Sequence, residues 1–145
     1  MNGSIVEKPA TFDRIDRIKE ALGETPLPGD DGVWILGQPM VFEIDSVTHT
    51  VPRGFTTDGA SIPKIGIALT GWKRWDEPQR WAAIAHDWLY TRPNTAKQYA
   101  DLAFRALLIS EKASWWMRNV MYLAVRLFGG PAYRADQLHG PMIYP

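Results

Sequence analysis

The hydrophobic pattern of this 145-residue chain changes period once, near Asp76, and that change constrains the fold more than any other feature. Before it, Met40, Phe42 and Ile44 alternate with Val41 and Glu43, as in a half-buried antiparallel strand. Residues 33–36 and 47–51 give two more candidate strands, set off by Gly37-Gln38-Pro39 and by a turn at Asp45-Ser46. His49 alternates in step with Val47 and Val51, which suits a half-buried strand residue better than a ligand. After Asp76 the apolar residues recur every three to four positions, predicting helices near 77–91, 95–111 and 114–128. Strands first and helices after describe an α+β fold, a small antiparallel sheet followed by three packed helices, rather than alternating βαβ units.

The length suits one domain, 1–145. Residues 1–32 are predicted as an N-terminal helix and loop, the helix at 11–22 on the spacing of Phe12, Ile15, Ile18 and Leu22. Then come a strand and loop region at 33–75, a helical region at 76–133 and an irregular tail at 134–145. Net charge is zero, so no global field draws in nucleic acid, and no nucleic-acid partner is expected. The chain has no cysteine, which excludes disulfides, thiolate metal sites and a Cys nucleophile. The first residues lack the basic start and apolar core of a signal peptide. The longest apolar run, 120–128, is interrupted by Arg126 and is far short of the roughly 20 residues of a membrane span.

Chemistry is concentrated in the stretch 81–90. On a helical wheel Trp81, Ile84, Ala85 and Trp88 share one face, while His86 and Tyr90 lie on another beside Ala82 and Ala83. Apolar residues on both sides predict a helix covered on both sides, and a buried His and Asp each need a partner. Two other segments can supply one. The loop 51–63 is small, polar and Gly-rich; it carries Asp58 and Ser61 and is too short to make its own core, so it should lie against the alanine-lined face. Asp101, on the next helix, stands four residues before Arg105 and suits either an ion pair or a site. A meeting of Asp58 with His86 is the expected contact.

The segments Val51-Pro-Arg-Gly-Phe-Thr-Thr-Asp58-Gly-Ala-Ser61-Ile-Pro63, His86-Asp87-Trp-Leu-Tyr90 and Ala100-Asp101-Leu-Ala-Phe104, in that order, resemble the domain-of-unknown-function family 1353 over roughly residues 33–133. That resemblance implies a bacteriophage or prophage origin and a place in the virion or the host cytoplasm; it implies no reaction. The spacing His86-Asp87-x-x-Tyr90 is also similar to the helix of secreted phospholipases A2, but Ala82, Ala83 and Leu89 stand where those enzymes carry cysteines.

Two functions follow as expectations. In the first the chain is a hydrolase of an envelope component, peptidoglycan or lipid. His86 would be a general base oriented by Asp58, with Ser61 the less favoured nucleophile because no G-x-S-x-G context surrounds it. Alternatively, Asp58, His86, Asp87 and Asp101 would hold one divalent ion that activates water. In the second the same residues form a buried structural network, and the Trp-rich helix 114–128 is either core or a docking face for another virion protein. The two differ in one observable: catalysis needs an open site, whereas a structural network can be sealed.

Overall fold

The computed structural model describes residues 1–14, 33–59, 61–71, 76–77 and 79–144, and it shows two antiparallel sheets where one was expected. Among these residues the strands are β1 (Gly3–Glu7), β2 (Phe12–Arg14), β3 (Trp34–Leu36), β4 (Met40–Ile44), β5 (Val47–Val51), β6 (Phe55–Thr57) and β7 (Met142–Ile143). The helices are α1 (Lys64–Thr70), α2 (Gln79–Thr91), α3 (Lys97–Ser110), α4 (Trp115–Phe128) and α5 (Gly130–His139). The α+β class holds, and the three central helices start within two residues of their predicted positions.

The first sheet runs β1-β4-β5. Asp45 and Ser46 join β4 to β5 with φ of 47° and 67°. Two successive positive values make the mirror-image turn whose twist matches that of the strands. Asp45 also ties β1 onto β4: its carboxylate accepts from Asn2 N–H at 2.8 Å and its N–H donates to Asn2 O at 2.8 Å. The predicted alternation is present, with Met40, Phe42 and Ile44 fully buried. His49 stacks on Phe42 at 4.9 Å and bonds the Tyr99 hydroxyl at 2.9 Å, a packed strand residue as expected.

The second sheet runs β2-β3-β6-β7 and corrects two expectations. Residues 12–14, predicted as the start of a helix, pair as a strand with Trp34–Leu36. Phe12 is buried with its ring stacked on Trp34 at 5.0 Å. Cross-strand packing of two large aromatic rings outweighs a helical spacing that only four residues support. The rest of the predicted helix, 15–22, lies outside the described residues. The tail is not irregular either. Gly129-Gly130-Pro131 ends α4 and at once starts α5, with proline in the first turn where its missing N–H costs nothing. Beyond α5, β7 pairs with β6.

The place of the central helix belongs to α2, in which every residue from Trp81 to Thr91 is buried. It packs against α3 and α5, and Phe55 of the second sheet sits edge-on to Trp88 at 5.3 Å. Helix α4, predicted to be mostly buried against core or partner, buries only Met121, Ala124 and Val125 within this chain. Trp115, Trp116, Leu123, Leu127 and Phe128 are exposed. A helix covered by α3 and α1 along one stripe leaves the opposite stripe open, however apolar its composition.

Close approach of α1 to α4 depends on Gly66. A β-carbon there would lie 2.9 Å from Ala124 Cβ and 3.0 Å from Met121 Sδ. Gly66→Val is expected to push the helices apart and cost about 1–3 kcal/mol. Chemical denaturation of the two proteins, read as a change in midpoint at constant slope, measures it.

Candidate functional site

The residues singled out from the sequence fall into two places, because His86 and Asp87 are adjacent on a helix and point about 100° apart. His86 faces the interior. Its Nε2 lies 2.7 Å from Asp101 Oδ1, and its Nδ1 lies 3.2 Å from Ser61 Oγ. The loop before α1 therefore does lie on the alanine-lined face of α2, but the residue it delivers to the imidazole is Ser61. Both ring nitrogens are taken, so the expected contact between Asp58 and His86 is replaced by these two bonds.

Asp101 gathers four donors. Its Oδ1 accepts from His86 and from the Tyr90 hydroxyl at 2.7 Å; its Oδ2 accepts from Lys97 Nζ at 2.7 Å and from an Arg126 guanidinium nitrogen at 3.1 Å. Lys97 extends the network by donating to the carbonyls of Val125 at 2.6 Å and Arg126 at 3.2 Å near the end of α4. Burial alone pushes the Asp101 carboxyl up, but hydrogen bonds from His86, Lys97 and Tyr90 outweigh it and draw it down to about 2. Burial holds the His86 ring below its ordinary value, opposed by Asp101 and reinforced by Lys97. An ionised carboxylate only accepts, so Nε2 of the neutral ring carries the proton and Nδ1 accepts from the Ser61 hydroxyl.

Ser61, His86 and Asp101 are thus lined up with the proton polarity of a hydroxyl, base and orienter. Access is what they lack. Ser61 is 1% exposed, and His86 and Asp101 are 0%. The rings of Tyr90 and Phe104 lie 4.1 and 4.9 Å from the imidazole and fill the remaining space beside it. In this state the network is a sealed brace between the loop, α2, α3 and α4.

Asp87 faces the other way, into a cleft of about 280 Å³ whose lining includes Thr57, Asp58, Asp87, Thr91, Asp136 and His139. The Thr57 hydroxyl accepts from Gly59 N–H at 3.1 Å, which leaves its proton for Asp87. The carboxyls of Asp87 and Asp136 share a hydrogen bond. Burial, with the charges of Asp136 and Asp58 adding and Thr57 opposing, pushes Asp87 up to about 8. Burial and the charge of Asp58, against the bond from Asp87 and the charge of His139, leave Asp136 at about 6. Near neutrality the pair holds one proton, on Asp87. A proton donor and a proton acceptor then stand side by side at the edge of a cleft, which is what general acid–base chemistry needs.

The predicted metal ligands do not form one set. His86 and Asp101 belong to the brace, Asp58 and Asp87 to the cleft, and among the described residues no three His, Asp or Glu side chains are placed to hold an ion. Thr57 and Asp136 were missed by sequence reasoning. Thr57 lies one residue before Asp58 in a motif already noticed. Asp136 sits in the segment read as a tail, and the available signal was Pro131 directly after Gly129-Gly130, the mark of a helix start.

The brace makes a prediction about stability. Asp101 titrates below its unfolded value, so its contribution is present above about pH 4 and is lost as pH falls toward 2. His86 is held neutral, so its contribution is present above its unfolded value and is lost as pH falls through about 6.5. Asp101→Asn should cost about 3–5 kcal/mol at neutral pH, since two cations lose their counter-charge and an amide NH2 replaces one of the two acceptor oxygens among four donors. It should also flatten the pH dependence of stability between about 4 and 2. Urea unfolding across pH tests both, and a variant as stable as the parent would sink the account of the brace.

No curated protein and no solved structure matches the chain. Residues 34–125 match the family described as Protein of unknown function (DUF1353). That match spans Thr57, Asp58, Ser61, His86, Asp87 and Asp101, as well as Arg126's neighbour Val125, and it stops before Asp136. With well over half of its length in the match, the chain belongs to the DUF1353 family.

Proposed function

We propose that the chain is a phage- or prophage-encoded hydrolase of a cell-envelope component, and that its acid–base pair is Asp87 with Asp136. The phage origin rests on the resemblance of the three motifs alone. The reaction rests on one observation, the pair of hydrogen-bonded carboxyls at the cleft, both of which burial holds above the usual carboxylate range and Asp87 the further. Asp136 accepts a proton from water as the oxygen attacks a carbonyl carbon, and Asp87 gives its proton to the carbonyl oxygen. As the tetrahedral adduct collapses, Asp136 gives the proton it took from water to the leaving nitrogen or oxygen, which departs as an amine or alcohol, and Asp87 takes back the proton from the adduct's hydroxyl, restoring the pair. Two carboxyls sharing one proton have the right polarity for this. Amide links of peptidoglycan and ester links of lipid are the bonds of this kind in an envelope.

A second reading, a virion structural or interaction protein, is favoured by the sealed state of Ser61, His86 and Asp101 and by the exposed apolar stripe of α4. In it the acidic cleft is a surface feature with no reaction.

The test uses isolated sacculi and phospholipid vesicles, with release of free amines or fatty acids followed across pH. Release should be highest between about pH 6 and 8 and fall on both sides, as Asp136 gains or Asp87 loses its proton. Asp87→Asn and Asp136→Asn should each abolish it. A raised carboxyl also carries a stability signature of the opposite sign to Asp101. Folded Asp87 stays protonated far above its unfolded value, so stability falls as pH rises from about 4 through about 8. Asp87→Asn should therefore raise the melting temperature at pH 8, by roughly 2–4 °C for each kcal/mol recovered. Release that survives both substitutions, or no release from either substrate at any pH, returns the protein to the second reading.

A further inference from the structure

The open stripe of α4 has a spacing of its own. Trp116, Val120, Leu123 and Leu127 follow one another at intervals of four, three and four, the spacing of a coiled-coil seam. Trp116, Leu123 and Leu127 are 56%, 54% and 71% exposed, and Val120 is half-buried beside them. We propose that this seam is a self-association surface, occupied by the same helix of a second copy running antiparallel about a two-fold axis between Val120 and Leu123.

Three features favour a second copy. A seam in heptad register fits the ridges of another helix, whereas a lipid surface needs apolar area and no register. The antiparallel pairing is self-complementary: it sets the large Trp116 against Leu127 and the small Val120 against Leu123, and it opposes the two helix dipoles favourably. Charge permits it as well. The only charged residues of α4 are Arg118, on the side away from the seam, and Arg126, whose guanidinium is turned inward onto Asp101. The seam itself therefore presents no charge to its copy. On α1, which packs against α4, Ile65 and Leu69 are 46% and 61% exposed and widen the apolar surface.

Sedimentation of the full chain over a wide concentration range should give twice the 16.4 kDa chain mass. Leu123→Glu and Leu127→Glu should weaken association about 30-fold or more, since each places a charge at the centre of an apolar contact. Both sites are exposed in the single chain, so circular dichroism should be unchanged. The chain has no cysteine, which allows a direct check of geometry. Val120→Cys mixed with Leu123→Cys should cross-link to each other on oxidation, and Leu123→Cys alone should cross-link poorly. A chain monomeric at every concentration overturns the proposal. So does a dimer that ignores both Glu substitutions, or one in which Leu123→Cys links to itself as a parallel pair would. Monomer in solution with Leu123-dependent binding to vesicles overturns it in favour of a lipid surface.

Discussion

The structure depends on one buried carboxylate. Asp101 is fully enclosed, and an ion there is tolerated only because four donors converge on its two oxygens. Those donors come from different parts of the chain: His86 and Tyr90 from α2, Lys97 from the first turn of α3, Arg126 from the last turn of α4. Through His86 the loop bearing Ser61 joins them, and through Lys97 the C-terminal carbonyls of α4 do. The apolar contacts among these helices are non-directional and leave freedom to slide. Hydrogen bonds of fixed length to a common acceptor fix the relative positions of α2, α3 and α4 and the place of the loop.

That arrangement also explains why an adjacent His and Asp have separate roles. On a helix, neighbours diverge, and α2 is buried on every side. One of the pair therefore meets the helical core and the other meets the second sheet and α5. His86 finds a strong acceptor and stays neutral in a sealed place. Asp87 is buried beside another acid, so it keeps its proton at the edge of a cleft. The difference in their chemistry comes from what lies against each face.

Much of the fold was legible because periodicity is a local property. Met40, Phe42 and Ile44 show their strand in five residues, and the helical spacing from Trp81 to Trp88 shows α2 in eight. The turn at Asp45-Ser46 and the burial of His86 followed in the same way, whereas Asp101, read as an ion pair with Arg105 or a site residue, turned out to be fully enclosed. Errors arose where the deciding contact was distant in sequence. Phe12 becomes a strand residue because Leu36 lies across from it and Trp34, on the same neighbouring strand, stacks on its ring. Trp116 and Leu127 are exposed because α1 and α3 cover only one side of their helix. The loop 51–63 was placed correctly on the alanine face, yet which of its polar residues reached the imidazole depended on the exact course of the backbone between Thr57 and Pro63. Asp136 was illegible as a site residue because its importance comes from Asp87, far away in sequence.

Helix α5 has no fully buried residue; Ala132 and Tyr133 pack against the core from its surface, and polar contacts complete its attachment. Gln137 donates to the carbonyls of Tyr90 and Arg92 at 2.7 and 2.8 Å, and the Tyr133 hydroxyl donates to Thr95 O at 2.5 Å. Elements so attached are the first to open in local fluctuations. Each opening carries Asp136 away from Asp87, removes the neighbour's charge and admits water, so the acidity of Asp87 rises and falls with the detachment of α5. Linkage makes the relation reciprocal: alkali that strips the proton from Asp87 also loosens the helix that bears its partner. The cleft is therefore less firmly held than the brace around Asp101 beneath it.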